Sequence, residues 1–209
     1  MSETRFWLIR HALVEENARS VIYGDNDVAL CPHTLESQRA MYAALARRLP
    51  PPGRRVTWLV SPLSRTQRTA AAIFAAGYPE QTPTIEPGLI ELSFGRWQGL
   101  AHAALPAELT LKPHAFWPLA GAERPPGGES MADGIGRMGW LMERLAREHV
   151  GQDVIAVCHG GVIRAAIAHA LQIGADTALH FSIENLSLTR LDRLTPGWRV
   201  DCVNELPGV

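Results

Sequence analysis

The chain has 209 residues, 46% of them hydrophobic, with 20 Lys+Arg against 21 Asp+Glu for a formal net charge of −1. This is enough apolar content for one sizeable core, and we expect a single domain over residues 1–209. The balanced charge, with no basic run longer than two residues (Arg47-Arg48, Arg54-Arg55), excludes the usual nucleic-acid footprint and a Lys/Arg-rich membrane-surface helix. A small anionic ligand stays open, because a local arginine cluster needs no net charge.

Met1-Ser2-Glu3-Thr4-Arg5 runs straight into a strand-like segment without the basic-then-apolar pattern of a leader. No apolar run approaches the roughly 18 residues of a membrane span. Cys31, Cys158 and Cys202 are odd in number and far apart. They read as reduced thiols of a cytoplasmic protein, not as a disulfide framework or a zinc site.

The first element is the apolar run Phe6-Trp7-Leu8-Ile9, which ends in Arg10-His11. A helical pattern over residues 34–49 places Leu35, Met41, Tyr42, Leu45 and Leu49 along one face. A second apolar run, Val56 to Val60, ends in Ser61-Pro62-Leu63-Ser64-Arg65. There Ser61-Pro62 reads as the start of a helix that stops at Gly77. Residues 100–129 hold five prolines and the pair Phe116-Trp117 without clear periodicity. A connection this long is commonly a lid or binding loop, or else an insertion that merely packs. Ser130 and Asp133 form a plausible capping box for a helix to about His149, weakened by Gly134, Gly136 and Gly139. The third apolar run, Val154 to Cys158, ends in His159-Gly160-Gly161 and leads into an Ala-rich helix over 162–173 with Gly174 as its stop. Two late strands are expected at 183–191 and 198–204. Continuous apolar runs suit strands buried on both faces. The alternation predicts a three-layer α/β/α sandwich with a mostly parallel central sheet.

Ligands bind such sheets beyond the carboxyl ends of the strands, and all three apolar runs end in residues suited to an anion. Arg10 and Arg65 offer planar forks of N–H donors. His159 precedes two glycines at a helix start, where free N–H groups favour an anion and glycine allows close approach. If the strands are neighbours, two histidines and two arginines converge. Each also has a plainer reading: a capped strand-end histidine for His11, a tight turn at His159, a surface helix position for Arg65.

The segment LIRHALVEEN resembles the Arg-His-Gly signature of the histidine phosphatase superfamily, the phosphoglycerate mutase-like proteins. SPLSRTQRTA, LIELSFGRWQG, PPGGES and VIAVCHGGVIR resemble the family's later blocks and follow in its order, so the likeness runs from about residue 4 to 190. The resemblance implies that His11 is the nucleophile that becomes phosphohistidine. It implies that Arg10, Arg65 and His159, with Gly160 and less securely Asn17, hold the phosphoryl group. Glu91 would be the proton donor. It implies no metal and no cofactor, and a small phosphorylated metabolite as substrate. Two departures stand out: Ala12 replaces the glycine usual after the catalytic histidine, and Val14 stands where Ser or Thr is common. They raise the expectation that phosphate approach or substrate preference is altered. The expected function is that of a phosphomonoesterase. The alternatives are a phosphoglycerate-type mutase and a non-catalytic phosphate-binding regulator; retention of Glu91 speaks against the regulator, since a binder needs no proton donor. Leu179 to Asn185 bears a short likeness to alpha-ribazole phosphatases. Oligomeric state is not legible.

Overall fold

A computed structural model of the chain describes residues 3–51 and 54–208. Its centre is a six-stranded sheet. Strands β1 (Thr4–Arg10), β2 (Val56–Val60), β3 (Thr84–Ile85), β4 (Asp153–Cys158), β5 (Leu188–Leu194) and β6 (Gly197–Glu205) lie in the order β3-β2-β4-β1-β5-β6. The first four are mutually parallel, and β5 and β6 add an antiparallel edge. The mostly parallel α/β sheet expected from the apolar runs is therefore present.

The two faces of the sheet are built by alternation along each central strand. Phe6, Leu8, Leu59, Val154, Ala156 and Cys158 face a cluster made with α5 (Met131–Glu148) and α6 (Gly160–Leu171). Trp7, Ile9, Trp58, Val60, Ile155 and Val157 face a second cluster with α3 (Arg39–Arg48) and α4 (Ser64–Ala75). These two cores account for three layers. A third, smaller cluster joins Ile22 and Trp97 to Leu105 and Leu119 of the 100–129 segment. This segment holds a 3-10 helix at His102–Ala107 and is tied down by a buried carboxylate. Glu123 accepts from the Thr110 hydroxyl at 2.8 Å and the Leu111 N–H at 2.6 Å. Burial alone would raise its pKa, but these hydrogen bonds outweigh burial and hold it below the ordinary carboxylate range.

Several local expectations change. The helical stripe at 34–49 is carried by two helices, α2 (Pro32–Ser37) and α3, that meet at Gln38. The helix after β2 begins at Ser64, not at Ser61-Pro62, and Leu63 is its cap residue. Ser61 is diverted to the site described below. The helix before Gly174 ends at Gln172, whose φ of 55° is left-handed, and Gly174 instead precedes the short α7 (Ala175–Ala178). Residues 183–187 form a loop whose backbone and side chains bond to Arg10 and His11, so β5 starts only at Leu188. The Ser130–Asp133 capping box is present in both directions.

Two of the three α5 glycines, Gly134 and Gly139, have a packing reason that helix propensity hides, whereas Gly136 faces open space. A Cβ on Gly139 would stand 2.7 Å from His169 Nδ1 on α6, and one on Gly134 would stand 2.5 Å from Leu92 Cδ2. Absent side chains let α5 settle against its neighbours, offsetting a propensity cost of about 1 kcal/mol per glycine.

Candidate active site

The strand order explains the convergence. β4 lies between β1 and β2, with Arg10 level with Cys158 and Val60 level with Val157. The residues just past each strand, His11, His159 and Ser61, are therefore neighbours. The His11 N–H donates to the Cys158 carbonyl at 3.0 Å, and the Ser61 N–H to the Val157 carbonyl at 3.2 Å. The two imidazole rings meet edge-on, 5.1 Å between centroids.

His11 is almost wholly buried, and its tautomer follows from its partners. Nδ1 lies 2.7 Å from the Ala12 carbonyl oxygen. A carbonyl only accepts, so Nδ1 carries the proton and Nε2 keeps its lone pair. The segment is pinned from several sides. Asn185 Nδ2 donates to the His11 carbonyl at 2.8 Å, the Ala12 N–H donates to Thr69 Oγ1 at 3.0 Å, and the Leu186 N–H donates to the Arg10 carbonyl at 3.0 Å. Leu186 holds a φ of 61° to make this bond, a conformation that costs a non-glycine residue on the order of 1 kcal/mol. Asn185 and Thr69 are contributors that sequence reading missed; only the fold shows that they meet this loop.

His159 is fixed by Ser61. Ser61 Oγ accepts the Leu63 N–H at 3.3 Å and lies 2.8 Å from His159 Nε2. Among the described residues the hydroxyl proton has one acceptor, that ring nitrogen. His159 therefore carries its own proton on Nδ1, which is buried and without a partner among the described residues. Two more donors share that condition, Arg10 Nε and Arg65 Nε. Arg65 is fully buried in α4 and is held by the carbonyls of Gly24 at 2.8 Å and Asn26 at 2.7 Å. Arg10 donates to the Ile183 carbonyl at 2.5 Å. Buried donors without acceptors are costly and rare. The charges of Arg10 and Arg65 bear on both histidines, so these three donors lie in one neighbourhood, a setting that would suit an oxyanion.

Glu91 approaches the start of α6. The Gly161 N–H donates to its Oε2 at 3.2 Å and the Leu92 N–H to its Oε1 at 3.0 Å. A Cβ on Gly161 would stand 2.5 Å from Oε1, so this position requires glycine for the carboxylate to dock. Gly160 lies between the two guanidinium groups: its missing Cβ would be 3.4 Å from Arg10 Nε and 3.3 Å from Arg164 Nη1. Asn17 stands apart. It is exposed on α1 (Glu16–Arg19), and its Oδ1 accepts the N–H of Ala18.

A cavity of about 380 Å³ opens from this cluster. Arg10, Glu91, Gly160 and Gly161 form its inner wall, whereas His11, Arg65 and His159 do not line it. Its outer wall is largely apolar and includes Ile22, Phe94, Leu105, Trp117 and Leu119. The 100–129 segment thus forms part of the wall. His102 reaches the cavity, while His114 packs against Phe116 and His180 instead. Ala12 and Val14 lie in the core, nearly inaccessible and away from the cavity wall. Ala12 keeps an ordinary negative φ. Among the described residues no group of three or more His, Cys, Asp or Glu could hold a metal, and no helix is long and apolar enough to cross a membrane.

Residues 6–206 match the histidine phosphatase superfamily, branch 1. The chain belongs to this family. It is 32% identical over 188 residues to a glucosyl-3-phosphoglycerate phosphatase of Mycolicibacterium vanbaalenii, covering 84% of this chain and 78% of that one. A solved structure of the mycobacterial glucosyl-3-phosphoglycerate phosphatase superposes with a TM-score of 0.76 at 25% identity, covering 97% and 99% of the two chains. A 2,3-bisphosphoglycerate-dependent phosphoglycerate mutase of Methylobacterium sp. is 31% identical over 164 residues, 77% of each chain. The chain spans about half the length of three mycobacterial relatives that it matches at 29% identity over 187 residues, 88% of this chain; one is a bifunctional protein of Mycobacterium tuberculosis.

In this member of the histidine phosphatase superfamily the buried imidazoles resist protonation. Burial, then the charges of Arg65 and Arg10, push His11 well below 6.5, and burial with His11, Arg65 and Arg10 does the same to His159. The unfolded chain therefore binds more protons than the folded one below about pH 6.5. Stability is complete above that pH and declines as pH falls through and below it. The limiting slope is about 1.4 kcal/mol per pH unit for each histidine. Denaturant unfolding of phosphate-free protein at pH 7.5, 6.5 and 5.5 checks this: the slope between 6.5 and 5.5 should roughly halve in His159→Asn. A wild-type stability that does not change across that interval would refute the neutral pair.

Ser61→Ala should weaken inorganic phosphate binding by roughly 5- to 100-fold. It leaves His159 Nε2 without its buried donor and frees the ring to place its proton on the wrong nitrogen, a loss of about 1–3 kcal/mol. Titration calorimetry reads the effect, and Ser61→Thr should restore most of it.

Proposed function

We propose that the chain is a metal-independent phosphomonoesterase that works through a phosphohistidine on His11. The observation that carries this reading is the set of three buried, unpartnered donors (Arg10 Nε, Arg65 Nε and His159 Nδ1) grouped around an imidazole whose Nε2 lone pair is free.

In the first step Nε2 of neutral His11 attacks phosphorus in line, and the bond from phosphorus to the ester oxygen breaks. Glu91 delivers its proton to the departing oxygen, so the product leaves as an alcohol. The imidazole keeps its Nδ1 proton and becomes cationic, a state that the Ala12 carbonyl favours. In the second step water attacks phosphorus, Glu91 takes back a proton, and the bond to Nε2 breaks, releasing phosphate and neutral His11. Splitting one displacement into two lowers each barrier, and arginines preorganised around the transferring group carry its charge. Asn17 would join only if the short helix α1 that exposes it moves inward on binding.

A mutase needs the same first step but returns the phosphoryl group to a second hydroxyl in place of water. Purified protein assayed near pH 6 with EDTA on p-nitrophenyl phosphate and small phosphate esters tests the hydrolase reading. Release of inorganic phosphate that survives EDTA is expected. Loss of all activity with EDTA would overturn metal independence. Phosphate exchange between two esters without net release would favour the mutase, and binding without turnover would favour a regulatory binder.

A further inference from the structure

Arg164, on the first turns of α6, has no role in the chemistry above. It is only 8% exposed and lines the cavity. Its Nε donates to the Phe181 carbonyl at 2.8 Å, and its guanidinium lies over the ring of Trp117, 4.5 Å from the centroid. Burial lowers its pKa to about 10, which leaves it charged at neutral pH. No carboxylate forms an ion pair with it among the described residues, whereas the buried carboxylates of Asp153 and Asp192 are matched with other arginines. A buried, charged, unpaired guanidinium is expensive unless something supplies the missing anion.

We propose that Arg164, braced by Trp117 and the Phe181 carbonyl, is a specificity-determining subsite that binds a carboxylate on the leaving group of the phosphomonoester. This deepens the phosphatase reading and rests on it for the word substrate, but the binding claim stands separately. Position selects the leaving group over the phosphoryl group. Arg164 lies on the side of Gly160 that meets Trp117 of the outer wall, where the alcohol portion must sit once the phosphoryl group occupies the socket. Chemistry selects a carboxylate. One planar fork matches one carboxylate bidentately. Beyond Arg10, which belongs to the phosphoryl socket, a second phosphoryl dianion would find a single cation, apolar walls and three glutamates, Glu91, Glu123 and Glu129, in the same cavity. Glu123 is engaged by Thr110 and Leu111, Glu129 by Arg137 and Glu91 by the Leu92 and Gly161 N–H groups; the charges of Glu91 and Glu184 are felt by Arg164, but neither forms an ion pair with it.

The test compares 3-phosphoglycerate with glycerol 3-phosphate, which differ in a carboxylate against a hydroxymethyl group. Binding is measured by calorimetry to the full-length His11→Ala protein, which cannot turn either compound over. A preference of about 10- to 100-fold for the acid is expected. It should collapse at least tenfold in His11→Ala/Arg164→Gln, while Arg164→Lys, which keeps the charge but loses the fork, should retain part of it. Affinity for inorganic phosphate is read alongside. No preference in the Arg164-containing protein would overturn the subsite without any change at Arg164. An equal loss for both esters and for phosphate on Arg164→Gln would also overturn it, by making Arg164 a ligand of the phosphoryl group. A preference that depends on Arg164 in a protein with no hydrolytic activity would support the subsite and refute the phosphatase reading instead.

Discussion

His11→Ala should lower kcat on any phosphate ester by about 10⁴-fold or more while leaving the protein folded. The side chain supplies an imidazole lone pair, on a tautomer fixed by a backbone carbonyl, beside the charges of Arg10 and Arg65. Its removal takes away the covalent route itself, and what remains is the positioning given by the arginines, which in other covalent hydrolases preserves only about 10³–10⁴ over water. The loop would keep its shape, because its restraints come from the backbone and from Thr69 and Asn185 rather than from the ring. Inorganic phosphate should still bind, since Arg10, Arg65 and His159 retain their free donors. Steady-state kinetics with calorimetric phosphate binding separates the cases. A variant with a tenth of wild-type activity would move the nucleophile elsewhere, and His159 would be the first residue to examine.

Glu91→Gln should show an effect that depends on the leaving group. With an alkyl ester, whose alkoxide is a poor leaving group, loss of the proton donor should lower kcat/KM by about 10²–10⁴. With p-nitrophenyl phosphate, whose phenolate leaves readily, the loss in the first step should be at least tenfold smaller. The Gly161 and Leu92 N–H groups donate to different oxygens and glutamine keeps an acceptor for only one of them, but both esters share that loss, so the comparison between them reports proton transfer. Burst kinetics with the nitrophenyl ester should then show accumulation of the covalent intermediate, because water in the second step also loses its base. Equal losses for both esters would mean that Glu91 binds or positions without moving a proton.

Much of this site was legible because it lies where sequence signals are strongest. Three apolar runs became three neighbouring parallel strands, and the polar residue after each meets the others at the candidate site. His11 and His159 could be read from their place at strand ends. Other contributors carry no such mark. Ser61 followed by Pro62 looks like a helix cap, and only the register of β2 against β4 shows that its hydroxyl faces His159. Asn185 lies in a stretch that resembles a strand by composition. It departs from the ladder because the loop bends, at a left-handed Leu186, to reach the His11 carbonyl. Arg164 sat in view within VIAVCHGGVIR, but nothing in one sequence tells a buried unpaired arginine from a solvated one. Ala12 and Val14 teach the opposite lesson. Their departure from the family pattern suggested a crowded or altered pocket, yet the fold turns both side chains into the apolar core shared with α3 and α4. The 100–129 segment could be bounded by its prolines, but its contribution to the cavity wall through Leu105, Trp117 and Leu119 depends on contacts across long sequence distances.

The central claim is the covalent intermediate, and rapid chemical quench tests it most directly. Protein mixed with a ³²P-labelled ester and quenched with alkali within milliseconds should carry label on His11, stable to base and lost in acid, and absent from His11→Ala. Label that resists acid, label on another residue, or full turnover with no labelled protein at any quench time would contradict the account.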